Sequence, residues 1–233
     1  MIQILKNLFE KYDINYTDDM LLKLQKYYEL VIEKNQVMNL TRIVEKNDFA
    51  IKNILDSVLP INMITLNATV VDVGTGAGLP GIPLKILRPD IKITLVDSLQ
   101  KRVNFLKNVC EKLQLKDVIC IHARVEDFCK INREKFDFSV SRAVAKLNTL
   151  CEYCLPLTKI GGKMIAYKSL KAEEELADAK NAIAVLGGKL ENIQNIIIKE
   201  ENSIRTNIII KKINKCPQNY PRSKNLPKIE PIL

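Results

Sequence analysis

The sequence predicts a doubly wound α/β fold, with helices on both faces of a mostly parallel sheet and a helical cap in front of it. Three observations carry this prediction. Residues 1–62 repeat apolar side chains near the helical period. From residue 69 onward, short apolar runs alternate with helical stretches. The first of those runs leads directly into "VVDVGTGAGLPGIP" at 70–83, which holds four of the chain's eight glycines.

Taken in order, helices are expected over 2–12, 18–35 and 46–59; Leu21, Leu24, Tyr28 and Val31 mark the apolar face of the second. Thr17, followed by Asp18 and Asp19, reads as its capped start with acids in the first turn. The strands expected next are "TVVDV", "KITLVD", "DVICIHA", "FDFSVS", "GKMIAYK", "KLENIQNIII" and "RTNIIIKKI". Helices are expected between most of them, including 100–114 and 171–187, while the last two strands read as a hairpin across "KEENS". The tail "CPQNYPRSKNLPKIEPIL" has four prolines and reads as an arm outside the sheet. Three parts follow: a helical cap over 1–62, a central α/β domain over 63–215 and a basic, Pro-rich C-terminal arm over 216–233.

No apolar run approaches bilayer length, and charges interrupt the N-terminal stretch, so a cytoplasmic protein is expected. The six cysteines are expected to be reduced. Cys151 and Cys154 form a lone C-x-x-C on a helix, read as two buried thiols, and no metal site is expected. His122, the single histidine, ends a strand as a core or rim residue without a catalytic role. Net charge is +9, and residues 1–62 contribute none of the excess. From Asn202 to Ile229 there are seven bases and no acid, the footprint of a polyanion partner.

Two ligand fingerprints overlap in the glycine turn. Gly76, Gly78 and Gly81 satisfy G-x-G-x-x-G with Asp97 at the end of the next strand, as in a dinucleotide site. In the other register, Asp72, Gly74, Gly76 and Gly78 place a carboxylate at the mouth of the first strand. A pyrophosphate needs free N–H groups in the first helical turn, where Pro80 and Pro83 remove two, and Asp72 would repel it. S-adenosyl-L-methionine carries no phosphate and presents an ammonium, a sulfonium and ribose hydroxyls, which suit Asp72 and Asp97. The methyl donor is the expected cofactor.

The blocks "DVGTGAGLPGIPLKILRPDIKITLVDSLQKRVNFLKNV", "RVEDF" and "FDFSVSRAVAKL", with "NLTRI" and "ILDS" upstream, resemble the ribosomal RNA small subunit methyltransferase G family, also called glucose-inhibited division protein B. That resemblance implies a Rossmann-like class I S-adenosylmethionine-dependent methyltransferase that modifies N7 of one guanine in 16S rRNA of the small ribosomal subunit. It further implies cofactor contacts at Gly74, Leu79, Val125, Glu126 and Arg142. The chain departs from the family pattern at Asn53, where His is common, and at Ser169, where Gly is.

Methylation of guanine N7 needs no general base, so no catalytic side chain is assigned. Arg142 is expected to position cofactor or guanine, or else to form a structural ion pair. Lys101, Arg102, Arg124 and Lys146, at carboxyl-edge loops, are candidate phosphate contacts, as are Lys168 and Arg222. Tyr167 or Phe105 is the candidate for stacking on the target base. Asp97 is expected to be an exposed strand-end carboxylate whose loss leaves the fold intact. The arm's bases, Lys212 and Lys228 among them, are expected to bind RNA without touching the cofactor. A monomer is expected.

Overall fold

The computed structural model describes residues 1–169 and 171–233. Helices α1 (Ile2–Lys11) and α2 (Asp18–Asn35) open the chain. A third helical stretch comprises α3 (Lys46–Phe49), a π-helical segment (Ala50–Leu55) and α4 (Asp56–Val58). There follow β1 (Thr69–Val73), α5 (Gly81–Leu87), β2 (Lys92–Asp97), α6 (Gln100–Lys112), β3 (Val118–His122), α7 (Val125–Ile131) and β4 (Phe136–Arg142). The chain continues through α8 (Leu147–Cys154), β5 (Thr158–Lys168), α9 (Ala172–Val185), β6 (Gly188–Ile198), β7 (Ser203–Lys212) and α10 (Leu226–Ile229).

The seven strands run in the order β3-β2-β1-β4-β5-β7-β6. Strands β1 to β5 pair in parallel, while β7 is antiparallel to both β5 and β6. The expected hairpin forms, and its second strand inserts beside β5. A dinucleotide-binding sheet has six strands ordered 3-2-1-4-5-6, so this topology differs from that of a nicotinamide enzyme. The crossover between β1 and β4 is the switch point, and it opens a crevice at the strands' carboxyl ends.

Helix α2 shows why the cap folds as it does. The Thr17 hydroxyl accepts from the Met20 N–H at 3.3 Å, a cap worth about 1 kcal/mol. Leu21, Leu24, Tyr27, Leu30 and Val31 are buried, and each such apolar side chain contributes about 1.5–3 kcal/mol. Packing therefore outweighs capping. Tyr27 lies in the core, and the expected Tyr28 is half-buried beside it. The cap's Leu5, Phe9 and Leu21 join one core cluster with Val70, Ile93 and Ile165 of the sheet. On the other face α7, α8 and α9 pack through Phe128, Leu150 and Ala179 against Val71, Met164 and Ile208.

One expectation about the C-terminal third changes. Lys212 was grouped with the RNA-binding bases, yet it is fully buried. Its ammonium donates to the Leu155 and Leu186 carbonyls, both at 2.9 Å. It shares the inward face of β7 with Ile208 and Ile210, two and four residues earlier. The tail from 216 onward lies outside the sheet and is tied down. Arg133 donates to the carbonyls of Cys216, Pro217 and Tyr220, and Thr149 to that of Pro227.

Candidate cofactor and acceptor site

The glycine loop follows β1. Gly74, Gly76 and Gly78 have φ of +71°, +58° and +103°, a region that side chains disfavour. At Gly74 an added Cβ would lie 2.5 Å from Val144, whereas at Gly76 it would meet open space. Gly81, by contrast, is a packing glycine: its Cβ would come within 2.4 Å of Leu95 and 2.7 Å of the Asp72 carboxylate. The loop is propped from the cap, where the buried Tyr27 hydroxyl donates to the Ala77 carbonyl at 3.0 Å. Sequence reasoning missed Tyr27, although it lies three residues after Leu24 on the apolar stripe.

Asp72 is fully buried below the loop. Its Oδ2 accepts from the Thr75 hydroxyl at 2.6 Å and the Gly81 N–H at 2.9 Å, while Oδ1 has no partner. Burial pushes its pKa up to about 7, against the opposing pull of those two hydrogen bonds and of Arg142. Asp97 is buried too, which corrects its expected exposure. Its carboxylate accepts from the N–H groups of Gly76 and Leu99, both at 2.9 Å, and lies 3.5 Å from Arg102. It thus holds the loop while keeping lone pairs for a ligand.

Gly74, Asp97, Val125 and Glu126 come together in one cleft of about 120 Å³, with Ser98, Tyr153, Asn225 and Lys228. Asp72, Gly76, Gly78 and Leu79 form the loop behind it. Arg142 does not line this cleft. Its guanidinium donates to the Lys52 carbonyl at 2.7 Å, the Asp56 carboxylate at 2.9 Å and the Asn53 side-chain oxygen at 2.9 Å. The ion-pair alternative is what the fold displays, joining β4 to the π-helical segment of the cap. Such segments are common at functional sites.

Arg142 instead borders a second cavity of about 560 Å³ at the carboxyl ends of β4 and β5, with Asn53, Asp56, Lys146, Tyr167 and Glu175. Val144 lines both cavities. A larger, apolar groove of about 760 Å³ runs along β3 and reaches Thr69, Lys92 and Phe136 at the strands' amino ends. Ligands of doubly wound sheets bind at the carboxyl ends, which favours the cleft and the second cavity over that groove.

The candidate RNA contacts divide. Lys101 and Lys146 are exposed and free of ion pairs among the described residues. Arg102 faces Asp97, and Arg124 pairs with Glu126 at 3.1 Å and with the Asn225 side chain. Two others are engaged within the chain. The Lys168 ammonium is nearly buried, 2.8 Å from the Ala145 carbonyl and 2.7 Å from Glu175. Arg222 is engaged with the buried Glu152 through both its guanidinium and its backbone N–H. Phe105 is buried in the core, whereas Tyr167, whose hydroxyl donates to the Ser57 carbonyl, is buried but lines the second cavity. His122 sits at the rim, its Nε2 3.1 Å from the Ser98 carbonyl. Cys151 and Cys154 are buried on α8, and burial pushes both thiols up, Cys154 to about 12.

This arrangement fits S-adenosylmethionine. The open side of Gly76 leaves backbone accessible, Asp97 lines the cleft and can accept from hydroxyls, and Asp72 braces the loop from beneath. Comparison with known proteins agrees. The family model for rRNA small subunit methyltransferase G matches residues 20–204. Ribosomal RNA small subunit methyltransferase G of Desulforamulus reducens is 47% identical over 232 residues, spanning 98% of this chain and 97% of its own. The Staphylococcus aureus (strain Newman) protein of the same name is 42% identical, spanning 100% and 98%. Among solved structures, M. jannaschii TYW2 in complex with AdoMet shares the fold with a TM-score of 0.54 and 18% identity, over 69% of this chain and 76% of that one. The [4+2]-cyclase SpnF does so with a TM-score of 0.59 and 13% identity, over 81% and 95%.

Proposed function

This chain belongs to the rRNA small subunit methyltransferase G family, and on that premise we propose that it methylates N7 of a guanine in 16S rRNA of the small ribosomal subunit. It is an S-adenosylmethionine-dependent methyltransferase with a Rossmann-like fold. The observation that carries the finer reading is the pair of cavities meeting at Val144: a cleft lined by the buried carboxylates Asp97 and Glu126, beside a space of about 560 Å³, large enough for a base. Among the described residues no helix is long and apolar enough to cross a membrane.

When bound, S-adenosylmethionine supplies a methyl group on a sulfonium. Guanine N7 has a free lone pair, so no residue of this chain would have to remove a proton, and methylation there would leave the base cationic. This chain's residues supply alignment, a contribution on the order of 7–11 kcal/mol of the barrier. Asp97, which lines the cleft, would hold the ribose hydroxyls, while Asp72 supports the glycine loop from beneath. Arg142 is neutralised by Asp56, so it can shape the acceptor cavity without opposing the charge that appears on the base. Glu175, which also lines that cavity, is likewise paired, with Lys168 at 2.7 Å.

The test is single-turnover transfer of labelled methyl to small subunits from cells lacking this protein, followed by nucleotide mapping. Label on one guanine, at N7, is expected. Label on protein, or on another RNA, would contradict the assignment.

A further inference from the structure

The C-terminal arm was expected to lie apart from the cofactor, and the structure folds it back onto the cleft. Residues 222–230 are held at three points. The Arg222 N–H donates to Glu152 Oε1 at 2.7 Å and its Nη2 to Oε2 at 2.7 Å, and the Glu152 side chain is 1% exposed. The Thr149 hydroxyl, also on α8, donates to the Pro227 carbonyl at 2.8 Å. Arg222 then reaches forward to the Glu230 carbonyl at 2.8 Å, closing the segment on itself. A buried carboxylate receiving both a backbone and a guanidinium donor fixes a chain segment in place.

Between these anchors, Asn225 and Lys228 face the cleft opposite Asp97 and Glu126. Arg124 ties the two sides together, donating to Glu126 Oε1 and to Asn225 Oδ1. Among the described residues Lys228 has no ion pair, and it is exposed. The cleft thus offers acceptors from the sheet and donors from the arm. An adenosine presents hydroxyl and amino donors together with ring-nitrogen acceptors, and that pattern answers both sides.

We propose that the arm is a wall of the cofactor site, with Asn225 and Lys228 contacting the adenosine part of S-adenosylmethionine and Arg124 acting as the latch between arm and sheet. This rests on the cofactor reading above. It makes Arg124 a positioning residue for the cofactor. It also gives the basic tail a role that its distance along the chain conceals.

The test is calorimetric binding of S-adenosylhomocysteine to the full chain and to Asn225→Gly, Lys228→Ala and the double variant. Asn225 has φ of +60°, which glycine adopts freely, so Asn225→Gly removes the side chain and keeps the turn. Lys211→Ala, exposed on β7 away from the cleft, is the control. Loss of these contacts should weaken binding about tenfold in the double variant and leave the control unchanged. Hydrogen exchange across 222–230 in the unsubstituted protein should slow when S-adenosylhomocysteine is added. Equal affinity in all the proteins with unchanged exchange would overturn the wall. Absence of binding by the unsubstituted protein would instead remove the cofactor reading, and the wall with it.

Discussion

Asp72 couples the charge under the glycine loop to folding. In the unfolded chain it loses its proton near its ordinary value of 3.8, whereas burial holds the folded group protonated up to about 7. Between those values the folded state binds the extra proton, so the stability linked to this group is full below about pH 4 and is lost as pH rises through 7. Thermal melts across that range should show the protein losing stability relative to Asp72→Asn as pH increases; parallel profiles would mean the carboxyl is already ionised when folded. Asp97 makes a different prediction. Its loss leaves the Gly76 and Leu99 N–H groups without their acceptor, so Asp97→Ala should lower stability by about 1–3 kcal/mol as well as weaken S-adenosylhomocysteine binding. Unfolding by urea separates the two effects, and unchanged stability would show that the loop does not depend on this carboxylate. At this scale the sequence was readable where spacing implied chemistry, as at Asp72 and Gly76. It was silent where a partner is remote: Arg222 meets Glu152 across seventy positions and Arg142 meets Asp56 across eighty-six.

The elements were largely legible because β1 to β4 are short apolar runs of five to seven residues, and because "KEENS" reverses the chain between β6 and β7. The helix expected over 46–59 is interrupted by a π-helical segment, which follows from tertiary contact with Arg142 and leaves no mark in apolar periodicity. The period-2 rule did carry a signal for Lys212, which continues the inward row of Ile208 and Ile210. With Lys212 buried, Arg205 paired to Glu201 and Arg222 to Glu152, the exposed bases of the C-terminal third include Lys211, Lys215 and Lys224. Replacing those three by Gln should lower the salt slope of RNA binding by about two units, since each phosphate contact contributes roughly 0.7–0.9. S-adenosylhomocysteine affinity should be unchanged, because none of the three lines the cleft. An unchanged slope would place the RNA surface elsewhere, with exposed Lys101 and Lys146 at the carboxyl edge the next candidates.

Across the whole molecule, one crevice organises the chemistry. The cap delivers Tyr27, Asn53 and Asp56, the sheet delivers the glycine loop and its carboxylates, and the arm delivers Asn225 and Lys228. Cap and sheet share a hydrophobic cluster, so the acceptor cavity between them is set by packing. Tyr27→Phe tests that dependence: it leaves the Ala77 carbonyl unpaired and should cost about 1–3 kcal/mol while weakening cofactor binding. Unaltered stability and binding would mean that the loop holds its shape without the cap. The central claim is that this crevice aligns a sulfonium methyl with guanine N7. Its most direct measurement is transfer of labelled methyl from S-adenosylmethionine to small subunits lacking the modification, with the labelled nucleotide identified by mass spectrometry. The account predicts one 7-methylguanosine per subunit in 16S rRNA; a methyl group found on any other atom, base or RNA would contradict it.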